Sequence, residues 1–292
     1  MVKMLFDFLK KLWNASPRDI VQAIRHRLTP NRSASDGISR LIVPPYDPNG
    51  DEIQRLKSMP RYIPTTTVFM DKQLELVDAD SFLSMCEEIF VKRNYEFEAN
   101  RKDPLIIDCG ANIGMSIIFF KKMYPACRII AFEPDKNVFD ALKKNVESFG
   151  FKNVELHNKA VWNAESELDF YSEGSWGGRI PKPGDEENII KVSTIRLKDF
   201  LNQQVDFLKI DVEGAETEII KDCAENLTAV DYLFVEYHSH SEERQTLQEI
   251  LSIIKGAGFR YHIKEASCRK LPFIEKSIQG MDLQLDIFGF RL

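Results

Sequence analysis

Two groups of side chains in this sequence have the types and spacing for chemistry, and the first surrounds a glycine turn. An apolar run, Leu105-Ile106-Ile107, ends in Asp108. Gly110 and Gly114 follow, with Ala111, Asn112 and Ile113 between them, before a helical pattern opens near Met115. Glycine there permits positive φ and close approach of a ligand to the main chain, while the amides of a helix start attract hydrogen-bond acceptors. The stretch reads as a strand, a turn and a helix that could cradle a nucleotide or nucleoside; the plain alternative is a tight connection with no ligand. One strand later the chain reads Glu133-Pro134-Asp135. A carboxylate at that place can accept hydrogen bonds from both hydroxyls of a ribose. Otherwise Glu133 is a solvated charge.

The glycine pattern narrows the ligand. A dinucleotide sets its pyrophosphate on the helix start and favours G-x-G-x-x-G, which is missing here. A cofactor without phosphate, S-adenosylmethionine, needs only close backbone passage and polar partners such as Asp108 and Asn112. After a third strand, Asn158 to Trp162, with Ala160 and Val161, falls where an adenine ring would lie.

The second group lies at the ends of two later apolar runs. Val205 to Ile210 exits through Asp211-Val212-Glu213-Gly214, and Tyr232 to Val235 exits through Glu236-Tyr237-His238. If these strands are neighbours, Asp211, Glu213, Glu236 and His238 converge beside the cofactor. Crowded carboxylates raise one another's pKa and histidine titrates near neutrality, so the cluster could take a proton from an attacking hydroxyl. It could also bind a divalent cation, or consist of strand-end charges paired with Lys209. The base is preferred, and no residue is assigned as a metal ligand. Lys209 sits inside a strand expected to be buried and therefore requires a carboxylate partner.

The elements that position these groups alternate. Strands are expected over Arg128–Phe132, Val154–His157 and Val205–Ile210, with helices over Met115–Met123 and Lys136–Phe149 between them. The last two strands, Gly258–Glu265 and Leu283–Phe290, can pair antiparallel. This predicts a doubly wound α/β fold whose sheet is mostly parallel with an antiparallel last strand. Upstream, two short runs separated by Asp71-Lys72 read as a hairpin, and Asp80 as the cap of a helix over Ser81–Lys92. The glycine-rich stretch from Ser172 to Asn188, with Trp176 and Arg179, reads as a substrate lid or as a surface excursion. His240, His26, His157 and His262 are lone and read as surface or satisfied core residues.

The chain has 292 residues and a net charge of −6, without a long basic block, which argues against nucleic acid as the main partner. Five widely spaced cysteines and no C-x-x-C pair fit a reducing cytoplasm. Residues 1–64 are expected to form an N-terminal helical extension and linker, and 65–292 the catalytic domain. Leu5, Phe8, Leu9, Leu12 and Trp13 share one helical face, and Ser16-Pro17 opens a second helix to about Leu28. No run approaches the roughly 20 apolar residues of a membrane span. Residues 1–28 could instead dock on the domain, meet another subunit or lie on an anionic membrane.

From about Thr66 onward the chain resembles the FkbM family of methyltransferases, through LIIDCGANIG, AFEPD, NKAVW, VSTIRLKDFL, DFLKIDVEGAE and FVEYH in that order. The resemblance implies a class I methyltransferase sheet and methyl transfer from S-adenosylmethionine, usually to a hydroxyl oxygen of a sugar, glycan or secondary metabolite; the alternatives are an N-methyltransferase of an amide or amine and a nucleoside-binding scaffold without turnover. It implies that Asp108, Gly110, Asn112 and Gly114 hold the methionine end of the cofactor, Glu133 its ribose, and Asn158 to Val161 its adenine edge. Asp211 and Glu213 would face the reacting centre. Where the family carries an acid in an LDDFL-like block, this chain reads RLKD over Arg196–Asp199.

Overall fold

In the computed structural model, which describes residues 50–291 apart from 176, 183 and 276–279, two strands are buried at every position. These are β3 (Leu105–Cys109) and β9 (Val205–Ile210), which lie side by side at the centre of a seven-stranded sheet. Apolar side chains on both faces require cover on both faces. The remaining strands are β4 (Arg128–Phe132), β5 (Val154–His157), β10 (Val230–His240), β11 (Arg260–Cys268) and β12 (Met281–Phe290), in the spatial order β11-β12-β10-β9-β3-β4-β5. Only β12 runs against its neighbours. The mostly parallel sheet with a reversed last strand is thus as expected.

Alternation along each strand sends side chains to two cores. Ile106, Ile129, Phe207 and Phe234 face Phe119 and Phe120 of α3 (Met115–Met123) and Leu142 of α4 (Lys136–Phe149). Ile107, Ile130, Leu208 and Val235 face Ile219 and Ile220 of α5 (Glu216–Cys223) and Ile254 of α6 (Leu247–Gly256). Helix α4 begins where the Asp135 carboxylate accepts the amides of Asn137 and Val138, and it ends on left-handed Gly150. The chain winds outward from β3 to β5, then returns to β9 on β3's other side. Such a reversal opens a crevice beyond the carboxyl ends of these strands.

The hairpin forms as expected, β1 (Thr65–Phe69) pairing with β2 (Lys72–Leu76) through Met70 and Asp71, both at positive φ. The stretch just before it, which reads as linker with a helical turn near Glu52 to Lys57, forms that helix and packs it against the hairpin. Helix α1 (Gly50–Lys57) buries Leu56, and Glu52 accepts the Thr67 hydroxyl while Arg55 donates to the Thr66 carbonyl. The helix after the hairpin, α2 (Ala79–Met85), is capped by Asp78 and not by Asp80. The buried Asp78 carboxylate accepts the Ser81 amide and hydroxyl and pairs with Arg61, whereas exposed Asp80 lies inside the first turn. Its continuation, Cys86–Val91, is a π-helical turn. Helix α6 starts at Leu247, after a segment whose Thr246 amide donates to the Tyr237 hydroxyl.

Leu168–Tyr171 and Val192–Ile195, which read as strands in the sequence, join a third in a side sheet whose pairing no sequence pattern indicates. Strand β8 (Ile189–Arg196) lies between parallel β6 (Ala160–Trp162) and antiparallel β7 (Glu167–Tyr171). The apolar N-terminal stripe and the helix expected to Leu28 lie outside the described residues, as does Trp176. Among the described residues, no helix is long and apolar enough to cross a membrane.

Candidate functional site

The two glycines of the β3–α3 turn answer to neighbours in the fold. A Cβ on Gly110 would stand 1.9 Å from the Asp211 carbonyl oxygen, and one on Gly114 would stand 2.7 Å from a Leu142 methyl; both residues have positive φ. Only glycine lets the turn pass so close to the exit of β9 and to α4. The amides of the turn are also committed. Those of Gly110 and Ala111 donate to the Phe132 carbonyl, that of Asn112 to Glu133 Oε2, that of Ile113 to Asn112 Oδ1, and that of Gly114 to the Ala111 carbonyl. No amide from 110 to 114 is free to bind a phosphate, so the open cradle read from sequence is corrected to a closed one.

Above this turn lies a cavity of about 930 Å³, bounded by the ends of β3, β4, β9 and β10 and by the side sheet. Gly110, Ala111, Asn112, Glu133, Pro134, Ala160 and Val161 line one part of it, and Asp211, Glu213, Glu236 and His238 another. Three expected cofactor residues stand outside the lining. Asp108 is wholly buried and accepts the Ser116 hydroxyl. Gly114 faces Leu142, and Asn158 donates to the Glu133 and Pro134 carbonyls, 2.9 Å each, fixing the backbone that carries Glu133. All three position the wall and do not form it.

Glu133 presents its carboxylate to the cavity with each oxygen bonded once, Oε2 to the Asn112 amide and Oε1 to the Asp135 amide, 3.0 Å each. Burial pushes its pKa up to about 8. The spare lone pairs can accept hydroxyl donors.

Lys209 finds the carboxylates its burial demands. Its Nζ lies 3.0 Å from Asp211 Oδ2 and 3.4 Å from Asp108 Oδ1, and it donates to the Gly110 carbonyl at 2.8 Å. Asp108 and Lys209 are register partners across β3 and β9. Burial disfavours the ammonium, but Asp211 and Asp108 outweigh it and hold its pKa well above the usual lysine value.

The strand-end cluster assembles around His238. Glu216, which sequence reasoning left out, is buried at the start of α5. Its Oε1 accepts the Gly214 amide at 2.9 Å and faces His238 Nδ1 at 3.0 Å. On the other side, Glu213 Oε2 stands 3.4 Å from His238 Nε2, and Gln284 of β12 reaches both that nitrogen and Glu236. Burial opposes a charged imidazole, yet Glu213 and Glu216 prevail and hold His238 well above the ordinary histidine pKa. With Glu216 at Nδ1 and Glu213 at Nε2, both ring nitrogens of His238 face carboxylates. Burial lifts Glu213 to about 7 and Glu236 well above the carboxylate range, with His238 opposing both. His240, expected at the surface or satisfied, instead lines the cavity with a buried Nε2 that has no hydrogen-bond partner among the described residues. The i, i+3 spacing of Glu213 and Glu216 across a glycine was the available signal for Glu216. Gln284, which comes from β12, had none.

Comparison with known proteins bears on this site. The family profile described as the methyltransferase FkbM domain matches residues 108–261, more than half of the chain. The chain is similar to Methyltransferase 1 of Beauveria bassiana (strain ARSEF 2860), 29% identical over 160 residues, covering 46% of this chain and 64% of that protein. It is also similar to the 2-O-methyltransferase NoeI of Sinorhizobium fredii (strain NBRC 101917 / NGR234), 25% identical over 177 residues, 53% of this chain and 72% of that one. Among solved structures it is similar to the methyltransferase FkbM from Methylobacillus flagellatus KT, with a TM-score of 0.43 at 15% identity, covering 73% of this chain and 56% of that chain. The match with Methyltransferase 1 thus spans just under two thirds of that relative's length.

Proposed function

The chain belongs to the methyltransferase FkbM domain family, and from that premise we propose that it transfers a methyl group from S-adenosylmethionine to a hydroxyl oxygen of a small molecule, sugar or glycan. The observation that carries the reading is the pairing of a closed glycine turn with an open carboxylate. A turn whose amides are all bonded offers nothing to a pyrophosphate. Glu133, bonded once at each oxygen, offers lone pairs to the two hydroxyls of a ribose. A phosphate-free nucleoside suits both. The name of NoeI, a 2-O-methyltransferase, supports oxygen as the acceptor atom.

In this reading Glu133 holds the ribose, Ala111 and Asn112 border the amino-acid end, and Ala160 and Val161 flank the adenine. When bound, the cofactor supplies an electrophilic methyl group on a sulfonium. The chain's own residues align the acceptor hydroxyl and exclude water, the usual source of most of the rate gain in a displacement of this kind. A carboxylate takes the hydroxyl proton. Glu213, with a pKa near 7, and Asp211 face the cavity for that task. His238 keeps Glu213 in place.

Isothermal calorimetry with S-adenosylmethionine and S-adenosylhomocysteine tests the proposal, followed by transfer of a labelled methyl group to hydroxyl-bearing extracts. Binding of both ligands with label recovered as an acid- and base-stable ether is expected. Binding of neither ligand removes the reading, and label recovered on nitrogen replaces its oxygen half.

A further inference from the structure

Not every group in the strand-end cluster is accounted for by hydrogen bonds and ion pairs. Asp211 is engaged by Lys209, and Glu216 by backbone amides and His238 Nδ1. Glu213 faces His238 Nε2, Glu236 accepts from Gln284, and both line the cavity together with Asp211. Beside the same turn, the His240 Nε2 stands 3.2 Å from where a Gly214 Cβ would be, buried and unpartnered among the described residues.

We infer that Asp211, Glu213 and His238 form a binding site for one divalent transition-metal ion of the Mn²⁺ type. One ligand atom from each of the three residues lies within 4.8 Å of the others. A shell with metal–ligand bonds of about 2.2 Å separates its ligand atoms by ~3 to 4.4 Å, so a small side-chain rotation closes the set. Two carboxylates with one imidazole suit an ion that accepts both oxygen and nitrogen, and three protein ligands leave positions for water or a substrate oxygen.

A partner outside the ligand set supports a metal over a plain ion pair. The buried Glu216 faces Nδ1, so that the Nδ1–H can donate to it and Nε2 is turned toward Glu213. A carboxylate behind a histidine is how metal-ligating imidazoles are held and made more basic.

The test is Mn²⁺ titration of the EDTA-treated full-length chain, followed by the electron paramagnetic resonance signal of the free ion. About one bound Mn²⁺ per chain is expected. His238→Ala and Asp211→Asn should each weaken it at least tenfold, and Glu216→Gln by ~10–100-fold, as for lost outer-shell partners. Where a buried variant fails to fold by circular dichroism, Glu213→Gln on the turn stands in for it. No binding below millimolar Mn²⁺, or equal affinity in folded variants, overturns the site. Calorimetry with S-adenosylhomocysteine in EDTA judges the proposed function separately.

Discussion

Glu133→Gln should stabilise the protein by ~1 kcal/mol at pH 8 and slightly destabilise it at pH 5. The Glu133 carboxyl has its pKa raised by burial from 4.5 to about 8. Below pH 4.5 both folded and unfolded chains hold the proton, and the residue has no pH-linked effect. As pH rises through 4.5 the unfolded chain ionises while the folded one keeps its proton, so stability falls until the folded group also ionises near 8. At 1.36 kcal/mol per pKa unit the ceiling is ~5 kcal/mol. The carboxylate faces a cavity that water can enter, which reduces the expectation to ~2 kcal/mol. Glutamine removes the linkage at the cost of one weakened amide bond, a loss of ~1 kcal/mol that is the same at both pH values. Urea unfolding of wild type and variant at pH 5 and pH 8 measures the difference. Equal changes in stability at the two pH values would refute the raised pKa. The same shift predicts that S-adenosylhomocysteine binding at pH 7 releases close to one proton, because ribose hydroxyls favour the ionised form. Calorimetry in buffers of different ionisation enthalpy counts that proton, and Glu133→Gln should release none.

Gly110→Ala should cost at least ~3 kcal/mol, since its Cβ would overlap the Asp211 carbonyl at positive φ; a loss under 1 kcal/mol in denaturant titration would contradict the close passage. Lys209→Met leaves Asp108 and Asp211 without their buried cation and should cost ~3–5 kcal/mol, part of which Asp108→Asn restores in the double variant. Additive losses would show that the two residues do not share one network.

Much of this was legible because the period of a pattern reports burial directly. The largely apolar character of β3 and β9 marked them as buried, and the one cation among them, Lys209, announced the carboxylates it now meets. The side sheet was hidden because β6 is three residues long and β7 and β8 are separated by seventeen residues rich in glycine and charge. No local period spans such a gap. Capping was misread by two residues because Asp78 and Asp80 are equally good caps in sequence. What decides between them is Arg61, which reaches Asp78 at 3.0 Å from the preceding segment.

The glycines of the turn show where sequence reasoning stops. That Gly110 and Gly114 adopt positive φ could be read from their place between a strand and a helix. What occupies the space that their missing side chains leave could not. The strand alternation that aligns Asp108 with Lys209 also brings the exit of β9 against Gly110, and the neighbour there is the Asp211 carbonyl. The turn therefore serves the ligand at second hand: it closes on β9 and α4, consumes its own amides, and in doing so directs the Asn112 amide onto Glu133. If Glu133 holds the ribose as proposed, its orientation is fixed by the turn, so a substitution at Gly110 should weaken nucleoside binding even where the chain still folds.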